Sequence, residues 1–281
     1  MKKALVLYSG GLDSRLAVLL LKEQGFKVET IHFTLPFGCG CCNLNCNFKF
    51  TQLKNIKMEI IDITKEPYLS EYLQLLKKPK HGTGAGINPC KDCKIFMFKK
   101  AKEYADKNKI QVIATGEVAG QRPMSQTSKA MKTIEEEIGF EIRRPLIEAG
   151  ISGRSRKKQM ELAKKFEITY PSPGGGCFLC EKEPKKRLKT LLKKDLINEK
   201  TLPLTMIGRH FFIDGIWFVV ARDETESKLI TKFETSTKDA KGKPSIYYNK
   251  KRGKQKALEL QKAYSTNSSK KERDKFEKVK L

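Results

Sequence analysis

The chain opens on an unbroken apolar run, Ala4-Leu5-Val6-Leu7-Tyr8, the pattern of a strand buried on both faces. From Ser14 onward the apolar residues Leu16, Ala17, Leu19, Leu20 and Leu21 predict a helix over 14–25. Further β-type runs follow at 27–33, 57–63 and 111–116, with a fifth, shorter one at Phe140-Glu141-Ile142-Arg143. Helical patterns fall between them, at 66–77, 91–108 and 125–138, and a basic helix covers 153–163. Strands alternating with helices predict an α/β fold built on a doubly wound parallel sheet. Such sheets place ligands beyond the carboxyl ends of their strands. In this chain that gathers the turn after Tyr8 with the residues around His32, Phe33, Gly116 and Glu117.

The cluster Pro171-Ser172-Pro173-Gly174-Gly175-Gly176 is the best boundary signal in the chain. We therefore expect one domain over 1–180 and a second over 181–281. The second begins with a lysine-rich helical stretch at 182–200 and continues with short strands over 206–233, turning at Gly215, as a small basic α+β unit. From Lys238 to Leu281 there are fifteen lysines and arginines against five acids. Tyr247-Tyr248 lies among these cations, which suits backbone contacts plus stacking on RNA bases. The last fifteen residues read as a solvated helical tail. His210 reads as structural.

Charge sharpens this picture. Lys and Arg total 57 against 32 Asp and Glu, a formal net charge of +25 in 281 residues. An excess of that size points to a polyanionic partner, most often nucleic acid; a proteome that dresses every surface in lysine is the alternative. No apolar segment approaches the ~20 residues that span a bilayer, and the first apolar run leads straight into a glycine turn rather than a secretory leader. A cytoplasmic protein with no membrane partner is expected, so its eight cysteines are not expected to form a structural disulfide framework.

Candidate chemistry concentrates at two places. Between the first strand and helix stands Ser9-Gly10-Gly11-Leu12-Asp13-Ser14. Exposed amides at a helix start, with no bulky side chain in the way, make an anion site; a plain turn capped by Asp13 or Ser14 is the alternative. No lysine follows the glycines, so this is not a Walker A loop. The second place is the cysteines, which fall in three groups: Cys39, Cys41, Cys42 and Cys46; Cys90-x-x-Cys93; and Cys177-x-x-Cys180. C-x-x-C spacing lets two sulfurs point at one ion. Cys90, Cys93, Cys177 and Cys180 could thus hold a structural Zn2+ or an iron–sulfur cluster. In a third reading Cys93 and Cys177 carry sulfur as a persulfide or thiolate. Cys90 and Cys93 lie at a helix start, which favours the thiolate.

The glycine stretch resembles the pyrophosphate loop of the N-type ATP pyrophosphatases, which share an adenine nucleotide alpha hydrolase-like fold, cleave ATP to AMP and pyrophosphate, and adenylate a substrate. The resemblance implies that Ser9, Gly10, Gly11 and Ser14 hold phosphates and that Asp13 helps place Mg2+. Asn88-Pro89-Cys90-Lys91-Asp92-Cys93 is similar to the N-P-x-x-x-C segment of the tRNA 2-thiouridylases, and Gly176-Cys177-Phe178-Leu179 to their second catalytic segment. Lys80-His81-Gly82, the stretches 115–118, 120–126 and 151–156 resemble a prokaryotic tRNA 4-thiouridine synthase-like family. Together these cover about residues 1–180. A shorter likeness, over 208–224, is to the RNA-binding domain of ribosome-quality-control factors. Cys180 and the Cys39–Cys46 group have no counterpart in the two-cysteine thiouridylases.

The resemblance implies ATP-dependent tRNA thiolation, with the nucleotide at Ser9–Ser14, His32, Phe33, Gly116 and Glu117, catalysis by Cys93, Cys177 and Asp13, and RNA contacts from Arg122, Arg154, Arg156 and Arg209. Arg122 and Arg154 could instead clamp phosphate or lie on solvated faces. His81 reads either as an RNA contact or as a surface loop residue. Neither the RNA-binding module that precedes the catalytic domain in longer 4-thiouridine synthases nor their sulfurtransferase domain is seen, so the sulfur donor is expected to be another protein, such as a cysteine desulfurase, or free sulfide. Two alternatives stay open on the sequence: a sulfur-free adenylating ligase acting on tRNA, and a metal-stabilised RNA-binding protein without catalysis.

Overall fold

A computed structural model describes residues 1–38, 44–172, 176–238 and 240–281, with the side chains of 44–46 left out. Cys39, Cys41 and Cys42, the Cys46 side chain, and residues 173–175 of the glycine cluster therefore lie outside the described residues. The chain divides into two compact units, Met1–Lys182 and Glu183–Leu281.

The first unit is a layered α/β structure. Its elements are β1 (Lys3–Leu7), α1 (Leu12–Glu23), β2 (Lys27–Thr34), α2 (Leu44–Leu53), β3 (Lys57–Asp62), α3 (Tyr68–Lys77), α4 (Cys90–Lys107), β4 (Val112–Thr115), α5 (Ser128–Ile138), α6 (Pro145–Glu148) and α7 (Lys157–Lys165). All strand pairs are parallel, in the order β3-β2-β1-β4. The apolar run of β1 explains why it is central. Ala4, Val6 and Tyr8 face one core with Leu16, Ala17 and Phe50, while Leu5 and Leu7 face another with Phe98, Ala101 and Ile134. From β1 the chain crosses to β2 on one side, while β4 lies on the other. The carboxyl ends of β1 and β4 thus flank a topological switch point, where open sheets leave a crevice.

Two features depart from the sequence pattern. The run at 140–143 is not a strand: only Arg143 pairs, through Thr115 N–H to Arg143 O (3.0 Å) and Arg143 N–H to Ile113 O (2.9 Å). Pro145 then starts α6 and stops any extension. Helix α2 is absent from the sequence pattern, because LNCNFKFTQL has weak helical periodicity.

The second unit contains α8 (Lys185–Lys193), β5 (Arg209–Ile213), β6 (Ile216–Val220), α9 (Glu224–Ile230), β7 (Ile246–Tyr248), α10 (Lys254–Ala263) and α11 (Lys270–Asp274). β5-β6-β7 form an antiparallel sheet. Asp214 (φ 50°) and Gly215 (φ 73°) make the β5–β6 turn, both left-handed, as a tight hairpin requires. The expected strand pattern over 206–233 ends in α9 instead. Asp223 caps that helix by accepting from Glu226 N–H.

The structure corrects one reading of the basic region. Tyr247 and Tyr248 are only 5% and 6% exposed. Tyr248 packs in the core with Phe211, Phe218 and Leu260, and Tyr247 meets Trp217 and Phe233 at ring separations of 5.3 and 5.1 Å. Neither ring is free to stack on a base; they are buried residues of a strand that a lysine-rich context disguised. The last fifteen residues are largely exposed and helical over Lys270–Asp274, as expected of a solvated helical tail, but their end is anchored. Phe276 and Val279 pack on the same core, and Leu281 N–H donates to His210 O at 2.9 Å. His210 is structural: buried, it accepts from Trp217 Nε1–H through Nδ1 (3.0 Å) and donates from Nε2 to Ile207 O (2.7 Å). Among the described residues no helix is long and apolar enough to cross a membrane.

Candidate active site

The loop from β1 to α1 is shaped by Ser14. Its buried hydroxyl accepts from Gly10 N–H (3.1 Å) and donates to Gly11 O (2.9 Å), and Ser9 Oγ lies 3.4 Å away. Gly10 has φ +82°, and a β-carbon there would fall on the Asn47 carboxamide, so both conformation and space demand glycine. Gly11 is the N-cap of α1 and brings no side-chain cap. The first turn's amides therefore face outward with the helix dipole behind them, as anion binding needs. Arg15 locks the loop from below, with Nε donating to Gly10 O and a terminal nitrogen to Thr169 O, each at 2.8 Å.

Asp13 stands at the mouth of this loop. Gln121 Nε2 donates to its Oδ2 at 3.1 Å, while the buried Oδ1 has no hydrogen-bond partner. Gln159, wholly buried, lies beside the same carboxylate with neither of its amide atoms in a well-formed hydrogen bond. Burial raises the Asp13 carboxyl above its ordinary value; Gln121, then the charges of Arg156 and Arg122, pull it back only in part. A buried carboxylate oxygen with no donor, beside a loop of free amides, fits a hard cation such as Mg2+.

The remaining predicted nucleotide residues take varied places. Gly116 follows β4 and lies against the start of α1: a β-carbon would sit 2.5 Å from the Asp13 carbonyl and 2.6 Å from Ser14 N. Its role is close packing that sets the crevice floor. His32 is buried, with Nδ1 at 2.9 Å from Tyr8 O, and burial holds its pKa below the ordinary value. Phe33 packs on the core. Glu117 is 2% exposed and its carboxylate is already engaged, by Lys94 at 2.9 Å and Arg144 at 3.2 Å. It acts as a buried ionic hub rather than an open ligand.

The cysteine segments come together. Cys90 Sγ and Cys180 Sγ stand 3.9 Å apart, ninety positions distant in sequence. Asn88 N–H donates to Leu179 O (2.9 Å), and Gly86 lies so close to the 179–181 backbone that a β-carbon would be 2.5 Å from Leu179 O. Cys93 Sγ lies 3.0 Å from the hydroxyl of fully buried Tyr72. Cys177 Sγ–H donates to Phe37 O at 3.1 Å. The expectation that a helix start would favour thiolates is reversed. Burial, then the neighbouring Cys180 sulfur, pushes Cys90 up to about 12; burial chiefly pushes Cys177 up to about 11 and raises Cys93 too, against the Tyr72 hydrogen bond. Desolvation disfavours the charged form of each of these thiols. Among the described residues no group of three or more His, Cys, Asp or Glu side chains is disposed to hold a metal ion.

Of the arginines, Arg156 lies over the Tyr170 ring at 5.9 Å and Arg209 over Tyr264 at 5.5 Å. Arg122 and Arg154 are exposed. His81 faces Glu137 at 3.7 Å, and its amide donates to Asp92. The sequence pattern does not single out Gln159, Asn47, Tyr72 or Arg15. Gln159 alone leaves a trace in it, as a polar residue one turn before Ala163 on the buried stripe of α7.

The first unit is thus a parallel α/β layer with an anion-type glycine loop at its switch point and paired cysteines in the same unit. A family model described as thiamine biosynthesis protein (ThiI) matches residues 1–198; the chain belongs to that family. It is 30% identical over 152 residues to a Finegoldia magna protein named probable tRNA sulfurtransferase, covering 52% of this chain and 36% of that protein. It is 29% identical over 180 residues to the protein of that name in Thermoanaerobacter sp. (strain X514), covering 59% and 42% respectively. The chain thus spans less than half the length of these relatives. A solved structure described as a 4-thiouridine synthetase–RNA complex with bound ATP is 20% identical, with a TM-score of 0.47, over 73% of this chain and 52% of that one.

Proposed function

We propose that the protein thiolates uridine in tRNA at the expense of ATP. The observation that carries this reading is the meeting of Cys90 and Cys180 at 3.9 Å, which joins two distant C-x-x-C segments within the unit that offers the glycine loop. A sulfur-free ligase on such a fold has no need of that junction. The names of the relatives, probable tRNA sulfurtransferase, and the family support it.

In this reading the first-turn amides of α1 bind the ATP phosphates, and Asp13 Oδ1 holds Mg2+, which neutralises phosphate charge when bound. The uridine carbonyl oxygen attacks the α-phosphate; the new O–P bond displaces pyrophosphate and leaves the base adenylated. The outer sulfur of a persulfide on Cys93 or Cys177 attacks the carbonyl carbon, and AMP departs with the C–O bonding electrons. The other of these two thiols then attacks the carrier sulfur, breaking the S–S bond to release the thiolated base and leaving a disulfide that a cellular thiol reductant reopens. The base must leave its stack to reach such a site. The basic second unit supplies sequence-independent affinity for tRNA. The sulfur reaches the cysteine at the persulfide level from a cysteine desulfurase, whereas free sulfide would attack the adenylated base directly. The protein works in the cytoplasm. Incubation with ATP and unmodified tRNA, followed by nucleoside mass spectrometry, tests the reading: a thiouridine and AMP are expected together, and AMP without a thionucleoside would favour the sulfur-free ligase.

A further inference from the structure

Arg122 occupies a place that none of the other arginines shares. Its segment is pinned beside the glycine loop by the Gln121–Asp13 hydrogen bond. It is closed into a turn by Gln126 N–H to Arg122 O (2.9 Å) and Gly120 N–H to Gln126 O (2.7 Å). The residue is exposed, and among the described residues its guanidinium has no hydrogen bond, ion pair or ring contact. Arg15, Arg143, Arg144 and Arg222 are all committed to carbonyls or carboxylates. Yet the charge of Arg122 reaches Asp13 on one side and both Cys90 and Cys177 on the other. Its charge thus acts on the glycine-loop carboxylate and on both cysteine segments.

We propose that Arg122 binds the one phosphate common to both half-reactions, the α-phosphate of ATP and then of the adenylated base, rather than the tRNA backbone. This role rests on the thiolase reading. A phosphate held beside Asp13 and within reach of the sulfurs needs a positive partner that neither neighbour supplies. A guanidinium fork matches two phosphate oxygens at once. When a cysteine-borne sulfur forms its C–S bond, the C–O bond to AMP breaks and its electron pair settles on the AMP phosphate. A cation there stabilises that charge as it stabilises the adenylation transition state.

The test compares Arg122→Gln and Arg122→Lys with the unaltered protein, using full-length chain, ATP and unmodified tRNA. AMP formation at saturating tRNA, thionucleoside yield, and tRNA affinity across a salt series are all measured. Arg122→Gln should lose about 100-fold or more in AMP formation, keep its tRNA affinity and salt slope, and recover part of its rate when free guanidinium is added. Arg122→Lys should fall between. An Arg122→Gln protein that forms AMP at the normal rate would overturn the proposal. So would one whose salt slope falls by about 1 with its rate restored at saturating tRNA, which marks a backbone contact. An unaltered protein that forms no AMP would instead sink the thiolase reading itself, and the proposal with it.

Discussion

Gln121 Nε2 donates to Asp13 Oδ2 at 3.1 Å across 108 positions of sequence, tying the loop that follows β4 to the glycine loop that follows β1. The bond fixes one carboxylate oxygen and leaves the other, Oδ1, buried and without a donor. Burial already disfavours the charge at this site, so the fold bears a cost for keeping a carboxylate there.

That cost predicts a separation of stability from activity. Asp13→Asn is close to isosteric and removes the buried charge, so its thermal midpoint should equal or exceed that of the unaltered protein. AMP formation should drop by about 100-fold or more, because the cation ligand is lost. Stability opposed to function is the ordinary pattern at a site built for chemistry. Undiminished AMP formation would remove Asp13 from the phosphate machinery.

In the second unit, burial holds His210 neutral, lowering its pKa from 6.5 to about 3, with Arg187 adding to the effect. The unfolded chain takes up this proton near pH 6.5; the folded chain waits until about pH 3. The stability tied to this group is therefore full above pH 6.5 and is lost as pH falls toward 3, at a limiting slope of about 1.4 kcal/mol per pH unit. Thermal midpoints measured from about pH 7 down to about pH 4 should fall, and His210→Gln should flatten that decline. An identical slope in the variant would show that the ring is not the titrating group.

Much of this was legible in the sequence, and the exceptions share a cause. The first four strands and the loop at Ser9–Ser14 stand out because apolar runs and a glycine turn are local signals. Gln159 and Tyr72 act through partners far away in sequence, and no local pattern encodes a neighbour. Tyr247 and Tyr248 mislead because a three-residue strand, Ile246–Tyr248, is too short to show alternation among lysines. The cysteines stand at a helix start as the pattern predicts, but the dipole alone misjudges their acidity. How deeply a side chain is buried is a property of the folded chain, and burial disfavours their charged form.

The corrected tyrosines carry their own test. Tyr248→Ala should destabilise the protein by roughly 3–5 kcal/mol, as removal of a large buried ring does. Tyr247→Leu, which removes the ring, should lower stability while leaving the tRNA affinity of the folded protein unchanged. Removing lysines from the second unit should instead weaken tRNA binding and flatten its salt dependence. A selective loss of tRNA affinity in Tyr247→Leu, with the fold intact, would restore the base-stacking reading.

How the sulfur is carried is open to direct inspection. After incubation with a cysteine desulfurase and cysteine, which supply sulfur already at the persulfide oxidation level, peptide mass spectrometry should find one added sulfur on Cys93 or Cys177, removable by a thiol reductant. Stoichiometric iron and acid-labile sulfide in protein purified without oxygen would contradict a persulfide and place the sulfur on a cluster held by Cys90, Cys93, Cys177 and Cys180. Stoichiometric zinc would make those cysteines structural.

The central claim is that one unit performs two separable steps, activation at the glycine loop and sulfur delivery at the cysteines. The measurement that reaches it most directly follows AMP and thionucleoside together in Cys93→Ser and Cys177→Ser, each with ATP, unmodified tRNA, a cysteine desulfurase and cysteine. Activation needs the loop amides and Asp13 but no thiol, so AMP should still form while the thionucleoside disappears in both variants. Thiolation that persists in either variant would contradict the assignment of that cysteine, and persistence in both would show that neither thiol delivers the sulfur.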